Sequence, residues 1–397
     1  MEGRKWRGRN STAAAEAAVM KVEKQGTEMG LEDKEMRNRR REPRGNKEQT
    51  ELSDNTFRCQ TYARLLLETL TEIAVVLIVV LLGWAYQTTQ PPPPKICGSP
   101  DGPPVTSPRI RLSDGRYLAY REKGVPKEAA KYKIIVIHGF GSSKDVSLPA
   151  SQELIDELGI YFLSFDRAGY GESDPNPKRS VKSEAFDIQE LADQLQIGSK
   201  FYVIGMLAGV SLVVPIINYW WPSFPANLSQ EVYKGRLVQD QWTFRVAHYA
   251  PRLLYWWLTQ KWFPSLSLLN KNPSIFSRRD KEILTKISKI ADLGQDKITP
   301  QGVFESLHRD LMVGFGNWEF DPMDLTNPYP ENESSVQIWQ GYEDRLIPFE
   351  LQRYVSEKLP WIRYHEVPDG GHLFIFDSGL CEVVLRALLL GEEPSSI

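Results

Sequence analysis

The sequence predicts an α/β protein: a doubly wound, mainly parallel sheet with a helical cap inserted late in the sheet and one membrane-spanning helix ahead of it. Three observations carry this. Short apolar runs alternate with helical patterns from residue 109 to the C-terminal region. A segment of about 110 residues, 218–327, separates two of the apolar runs. Residues 69–87 read TLTEIAVVLIVVLLGWAYQ, with Glu72 their only charge.

The chain has 397 residues and a formal net charge of -3, so no global charge points to nucleic acid. Residues 1–64 are polar and crowded with charge, including Arg37, Arg39, Arg40, Arg41, Arg44 and Lys47. Their few scattered apolar residues cannot build a core, and a disordered tail is expected. The next apolar stretch is nearly long enough, at ~1.5 Å per residue, to cross a ~30 Å hydrocarbon layer. Trp84 and Tyr86 fall where an interfacial aromatic belt lies. Basic residues crowd the N-terminal side, with Arg58 and Arg64 nearest, and only Lys95 follows before Arg109. A single-pass protein with a cytosolic N-terminus is therefore expected. Asn227-Leu-Ser229 and Asn332-Glu-Ser334 are acceptor sequons on the far side in that orientation. Residues 88–108 form a linker that Pro91 to Pro94 stiffen.

The elements of the folded region follow in order. Residues 109–112 and 116–121 flank Asp114-Gly115, a hairpin signal. Strands are expected at 133–138, 161–166, 201–205, 210–217, 336–340 and 363–367. Helices are expected at 151–158, 182–195, 350–359 and 380–390, and within the cap at 246–258 and 280–290. This gives a first core part at 109–217, a cap at 218–327 and a second core part at 328–397. The cysteines Cys59, Cys97 and Cys381 have no zinc spacing, though a Cys97–Cys381 bridge is open to them. Nothing calls for a metal or an organic cofactor.

Three features sit at strand ends. His138-Gly139-Phe140-Gly141 closes the 133–138 strand. Asp344, in Gly341-Tyr342-Glu343-Asp344, follows the 336–340 strand, and His372, in Gly370-Gly371-His372, follows the last one. Asp166-Arg167-Ala168-Gly169-Tyr170-Gly171 forms a further loop. In this order the chain resembles the α/β-hydrolase superfamily from about Arg109 to Leu390. Its layout is similar to plant membrane-anchored α/β-hydrolases. The resemblance implies acyl or ester chemistry on a small-molecule substrate, with His372 as base, Asp344 as its orienting acid and the Phe140 N–H as an oxyanion donor. It leaves His138, Asp166 and Arg167 structural roles.

The nucleophile departs from that pattern. The family places it as G-x-S-x-G on a strand-to-helix turn. Here Gly205-Met206-Leu207-Ala208-Gly209 puts Leu207 at the serine position. No atom of a leucine side chain attacks a carbonyl. No helix pattern follows either, since 210–217 is β-branched and apolar. A parallel crossover needs ~10–12 residues, and the four residues 206–209 suit an antiparallel hairpin that would break the family topology. The economical reading is that an elbow serine, its helix and the next loop have been cut out between Met206 and Leu207, leaving an α/β-hydrolase fold incomplete at the elbow. Ser211 lacks the second glycine of the motif, because Val213 stands there, and an aspartate nucleophile fails because no Asp sits at the elbow. Two functions compete: a serine-hydrolase lineage whose product here is inactive, and a non-catalytic protein that binds a ligand or partner under an aromatic cap with Tyr219, Trp220, Trp221, Trp256, Trp257 and Trp262.

Overall fold

The structure, a computed structural model, describes residues 45–205, 211–290, 295–331 and 335–394. It divides into two units, residues 1–82 and 83–397. The first described element is a long helix, α1 (Gly45–Thr89). It begins well before residue 69, so residues 45–64 of the expected tail lie in the helix, and residues 1–44 lie outside the described residues. A helix once nucleated in the apolar stretch extends cheaply through good helix formers, with no core needed. Within it Phe57–Thr89 has a mean hydropathy of 2.5 in its most apolar window and no buried residue. It is one helix long and apolar enough to cross a membrane.

The second unit is built on an eight-stranded sheet of order β1-β2-β4-β3-β5-β6-β7-β8. β1 (Arg109–Arg111) and β2 (Tyr117–Gly124) form the expected hairpin, and Gly115 takes φ 93° in its turn. β2 runs antiparallel to β4 (Ile160–Phe165), and every later pairing is parallel. β3 (Tyr132–Ile137) lies between β4 and β5 (Tyr202–Gly205). β6 (Ser211–Val213), β7 (Val336–Gly341) and β8 (Ile362–Val367) complete the sheet. Ser151 caps α2 (Gln152–Leu158) by accepting from Leu154 N, and Gly159 ends it at φ 65°. A reciprocal Ser180–Ser183 box starts α3 (Val181–Gln194).

Between β6 and β7 come α4 (Ala226–Lys234), α5 (Val238–Tyr249), α6 (Leu254–Thr259), α7 (Arg278–Ile290), α8 (Gln295–Ile298), a π-helical turn Phe304–His308 and α9 (Arg309–Phe315). The single helix expected over 246–258 is two, because Pro251 has no N–H to continue the first. α10 (Phe349–Lys358) and α11 (Ser378–Leu390) end the described fold. Cys381 is buried in α11 and Cys97 Sγ donates to the Pro104 carbonyl, so both thiols are free and the bridge is not made. Asn227 is exposed at the start of α4, whereas Ser229 turns its hydroxyl inward onto the Tyr219 carbonyl; Asn332 lies outside the described residues.

Period-two alternation sorts the sheet residues onto two faces. Ile204, Val213 and Trp339 pack with α2 and α11 on one. Ile135, Ile137, Leu163 and Val203 meet α3 on the other, where Leu212 and Ile338 meet α10 and the cap further along.

The β5–β6 connection overturns the hairpin expectation. Ile204 pairs with Ser211 and Gly205 with Leu212, in parallel. Only the last two residues of β5 overlap β6. The chain therefore moves one strand spacing sideways (~4.8 Å) and one residue back (~3.3 Å), within reach of five residues. The ~10–12-residue minimum applies to parallel strands that overlap along their length. The strand expected at 210–217 shrinks to three residues because Val214 takes φ 44° and Pro215 has no N–H for the ladder. On the α3 side, a groove of about 240 Å³ opens between α3 and the β3–β5 strands, lined by Ile137, Phe165, Ala185, Ile188 and Val203.

Candidate active site

His372 sits two residues past the turn that ends β8, and Asp344 sits three past β7. Parallel β7–β8 pairing, with Gly341 opposite Val367, brings the two loops together. Gly341 is required at their crossing, because a Cβ there would lie 2.4 Å from the carbonyl oxygens of both Gly370 and Gly371. Glu343 N donates to the Gly370 carbonyl at 2.9 Å and locks the loops in register.

His372 Nδ1 lies 2.9 Å from Asp344 Oδ2. Asp344 Oδ1 accepts from Leu346 N (2.8 Å) and Ile347 N (2.9 Å), an Asx-type turn that fixes the carboxylate plane. Its side chain has no solvent exposure. Burial alone would lower the His372 pKa, but the Asp344 charge and hydrogen bond, with Asp280 behind them, raise it.

Asp280 is the residue that sequence reasoning missed. Oδ2 accepts from His372 N (3.1 Å) and Oδ1 from Leu373 N (2.7 Å). It also closes a capping box at α7, in which Ser277 N donates to Asp280 Oδ2 and Asp280 N to Ser277 Oγ. A cap helix thereby holds the histidine loop. A Cβ on Gly371 would lie 2.2 Å from Asp280 Oδ2, which explains the second glycine of the pair. The legible signal was Ser277-x-x-Asp280 at a helix start.

His138 is buried with a different task. Arg167 N donates to its Nε2 (3.0 Å), so the ring proton sits on Nδ1, which faces the Gly139 carbonyl at 2.9 Å. Burial, then the nearby Arg167 charge, pushes its pKa well below the ordinary value, and it stays neutral. Asp166 and Arg167 pair elsewhere rather than with each other. Asp166 accepts from Lys144 N and Nζ (2.8 and 2.9 Å). Arg167 makes a bidentate pair with Asp310 of α9 (2.8 and 2.6 Å), which also accepts from Tyr170 and Arg179. Burial would raise the Asp310 pKa, and the two guanidinium groups lower it. This ion cluster bolts the cap to the Asp166–Tyr170 loop.

A cavity of about 400 Å³ joins these parts. Its walls include Phe140, Asp344 and His372, and apolar side chains of Ile217, Phe244, Leu268 and Phe315. Of the predicted aromatics Tyr219 lines it, whereas Trp220 and Trp221 pack among Tyr233, His248 and Trp318. Trp256, Trp257 and Trp262 do not line the cavity. Leu207 lies outside the described residues. Ser211 is fully buried, its Oγ has no hydrogen-bond partner among the described residues, and it points to the α11 face with Val213. It does not line the cavity.

A family model described as "Alpha/beta hydrolase family" matches residues 134–386. No curated protein matches the chain. Among solved structures the fold is similar to an esterase from Exiguobacterium antarcticum (16% identity, TM-score 0.45) and an enol-lactonase from Burkholderia xenovorans (14%, 0.48); each alignment covers 72% of this chain and 100% of the other. A bromoperoxidase from Bacillus anthracis is similar at 13% identity and TM-score 0.46, again over 72% of this chain and 100% of its own. With its sheet order, its His-Gly loop and its strand-end acid and histidine, this chain belongs to the alpha/beta hydrolase family.

Proposed function

We propose that this protein is a membrane-anchored α/β-hydrolase that holds an apolar acyl or ester ligand beside His372 and Asp344 without turning it over. One observation carries the reading: residues 206–210 are Met, Leu, Ala, Gly and Val, and none has a side-chain nucleophile. An intact site would use a serine there, with His372 taking its proton and Asp344 stabilising the imidazolium. Phe140 N–H would supply one oxyanion donor, and the second, normally the residue after the nucleophile, goes with the lost segment. Removing a serine-hydrolase nucleophile costs about 10⁶-fold in kcat.

The apolar walls of the cavity support an acyl ligand, and the imidazole Nε2, opposite the Asp344 contact, would donate to its carbonyl when the ring is protonated. The helix Phe57–Thr89 supports a single membrane span, with the basic N-terminal flank facing the cytosol. The lineage is that of a serine hydrolase whose elbow has been excised. A non-catalytic binding role is the alternative for the gene as a whole, and transcript sequencing across the Met206 and Leu207 codons separates them. A longer form with G-x-S-x-G would mark a hydrolase gene. The purified chain should show saturable thermal stabilisation by medium-chain p-nitrophenyl esters and no p-nitrophenolate release above buffer. A pre-steady-state burst of p-nitrophenolate would refute the reading.

A further inference from the structure

The outer surface of the cap carries aromatic side chains that the cavity does not use. Trp262 is 78% exposed, Trp242 50% and Phe263 40%. Ring contacts connect them inward: Trp262 with Trp256 (5.9 Å), and Phe263 with Trp257 (4.9 Å), which also meets Trp242 (6.5 Å). No carboxylate occurs between Asp240 and Asp280, whereas Arg245, Arg252, Lys261 and Lys271 all fall there. Exposed indole rings beside cations, with no acid among them, match the aromatic and basic composition of a membrane–water interface.

The linker bears on the same surface. Lys95 N donates to the Gln301 carbonyl (3.0 Å) and Cys97 N to Gln301 Oε1 (3.0 Å). Gln301 is itself buried and held through Nε2 by the Gly171 and Ser173 carbonyls. Only residues 90–94 separate Thr89, the end of α1, from Lys95. At ~3.1 Å per residue for a polyproline stretch, that tether reaches about 20 Å. Two and three residues beyond Gln301 come Val303, exposed, and Phe304, whose ring meets Tyr255 at 6.0 Å, next to Trp256. Ring contact between Phe304 and Tyr255 thus connects the pinning segment to the helix that carries Trp256 and Trp257.

Resting on the membrane-anchored reading above, we propose that this cap surface, centred on Trp262 and running to Val303, docks into the interface of the bilayer that holds α1. The tether limits the chain length between the end of α1 and the pinning point to about 20 Å. The segment continues into Leu266 and Leu268, which line the cavity, so docking places a cavity wall next to lipid.

The test uses the full chain with Cys59→Ser, which removes the exposed thiol, and Thr259→Cys labelled with the environment-sensitive fluorophore NBD. The protein is reconstituted into vesicles of phosphatidylcholine and phosphatidylserine. Flotation after alkaline carbonate reports anchoring. NBD emission and its quenching by nitroxide-bearing lipid report docking. The expected result is flotation with a blue-shifted label whose fluorescence falls by about half with nitroxide lipid. Trp262→Asp and, separately, Val303→Asp, both at exposed positions that spare the core, should each reduce that quenching about tenfold while flotation persists. A protein that floats with its label fully open to water and unquenched overturns docking and leaves anchoring intact. A label shielded from water yet not quenched by lipid overturns it in favour of a protein partner or a second copy. Failure to float removes the anchoring reading, and this inference with it.

Discussion

At the residue scale, the His372–Asp344 pair is the centre of the candidate site. Asp344 meets His372 and two backbone N–H groups while out of solvent. Asp344→Ala strips these contacts, and one from Gln340 Nε2 at 3.4 Å, and should cost roughly 1–3 kcal/mol, read from the urea midpoint. The pair also makes a pH prediction. The folded His372 pKa lies above its ordinary 6.5, so its stabilisation is complete below pH 6.5 and is lost as pH rises through the folded value. His308 acts in the opposite sense. Burial lowers its pKa to about 4, so its contribution is present above pH 6.5 and fades as pH falls towards 4. NMR titration should show the His372 ring protonating above 6.5 in the native chain and lower in Asp344→Asn. A His372 pKa unmoved by Asp344→Asn would separate the two residues. A simpler case is Gln196, exposed just past α3 at φ 53°. Gln196→Gly should stabilise by about 1 kcal/mol, because a Cβ is strained in that region and glycine is not.

At the element scale, much was legible, for stated reasons. The Asp114-Gly115 hairpin, the helix over 151–158 and the strand-end positions of Asp344 and His372 follow from local chemistry and periodic patterning. The Asp280 contact was not legible, because it joins a cap helix to a loop 92 residues later, and no local pattern encodes that separation. The direction of β6 was misread because the length rule for crossovers assumes full overlap, and here two residue pairs suffice. Sequence distance likewise hid Asp310, a cap acid that pairs with two buried guanidinium groups. Asp310→Ala leaves Arg167 and Arg179 without it and should cost about 3–5 kcal/mol in chemical unfolding. A loss under 1 kcal/mol would mean that Glu184, the other acid in the cluster, carries the charge balance alone.

At the scale of the whole molecule, the sheet keeps its full strand order although the segment that usually carries both the nucleophile and a covering helix is five residues long. Sheet pairing from β3 through β8 does not depend on that helix, so the acid and the histidine still meet. On the α3 side a groove lies beside Val203. The central proposal is that a binding cavity lies beside the His372–Asp344 pair with no nucleophile to attack a substrate. Intact-mass spectrometry of the purified chain after treatment with a fluorophosphonate tests this most directly. The account predicts an unmodified mass under conditions that label an active serine hydrolase to completion. A stoichiometric adduct on one serine, abolished by His372→Ala, would contradict it.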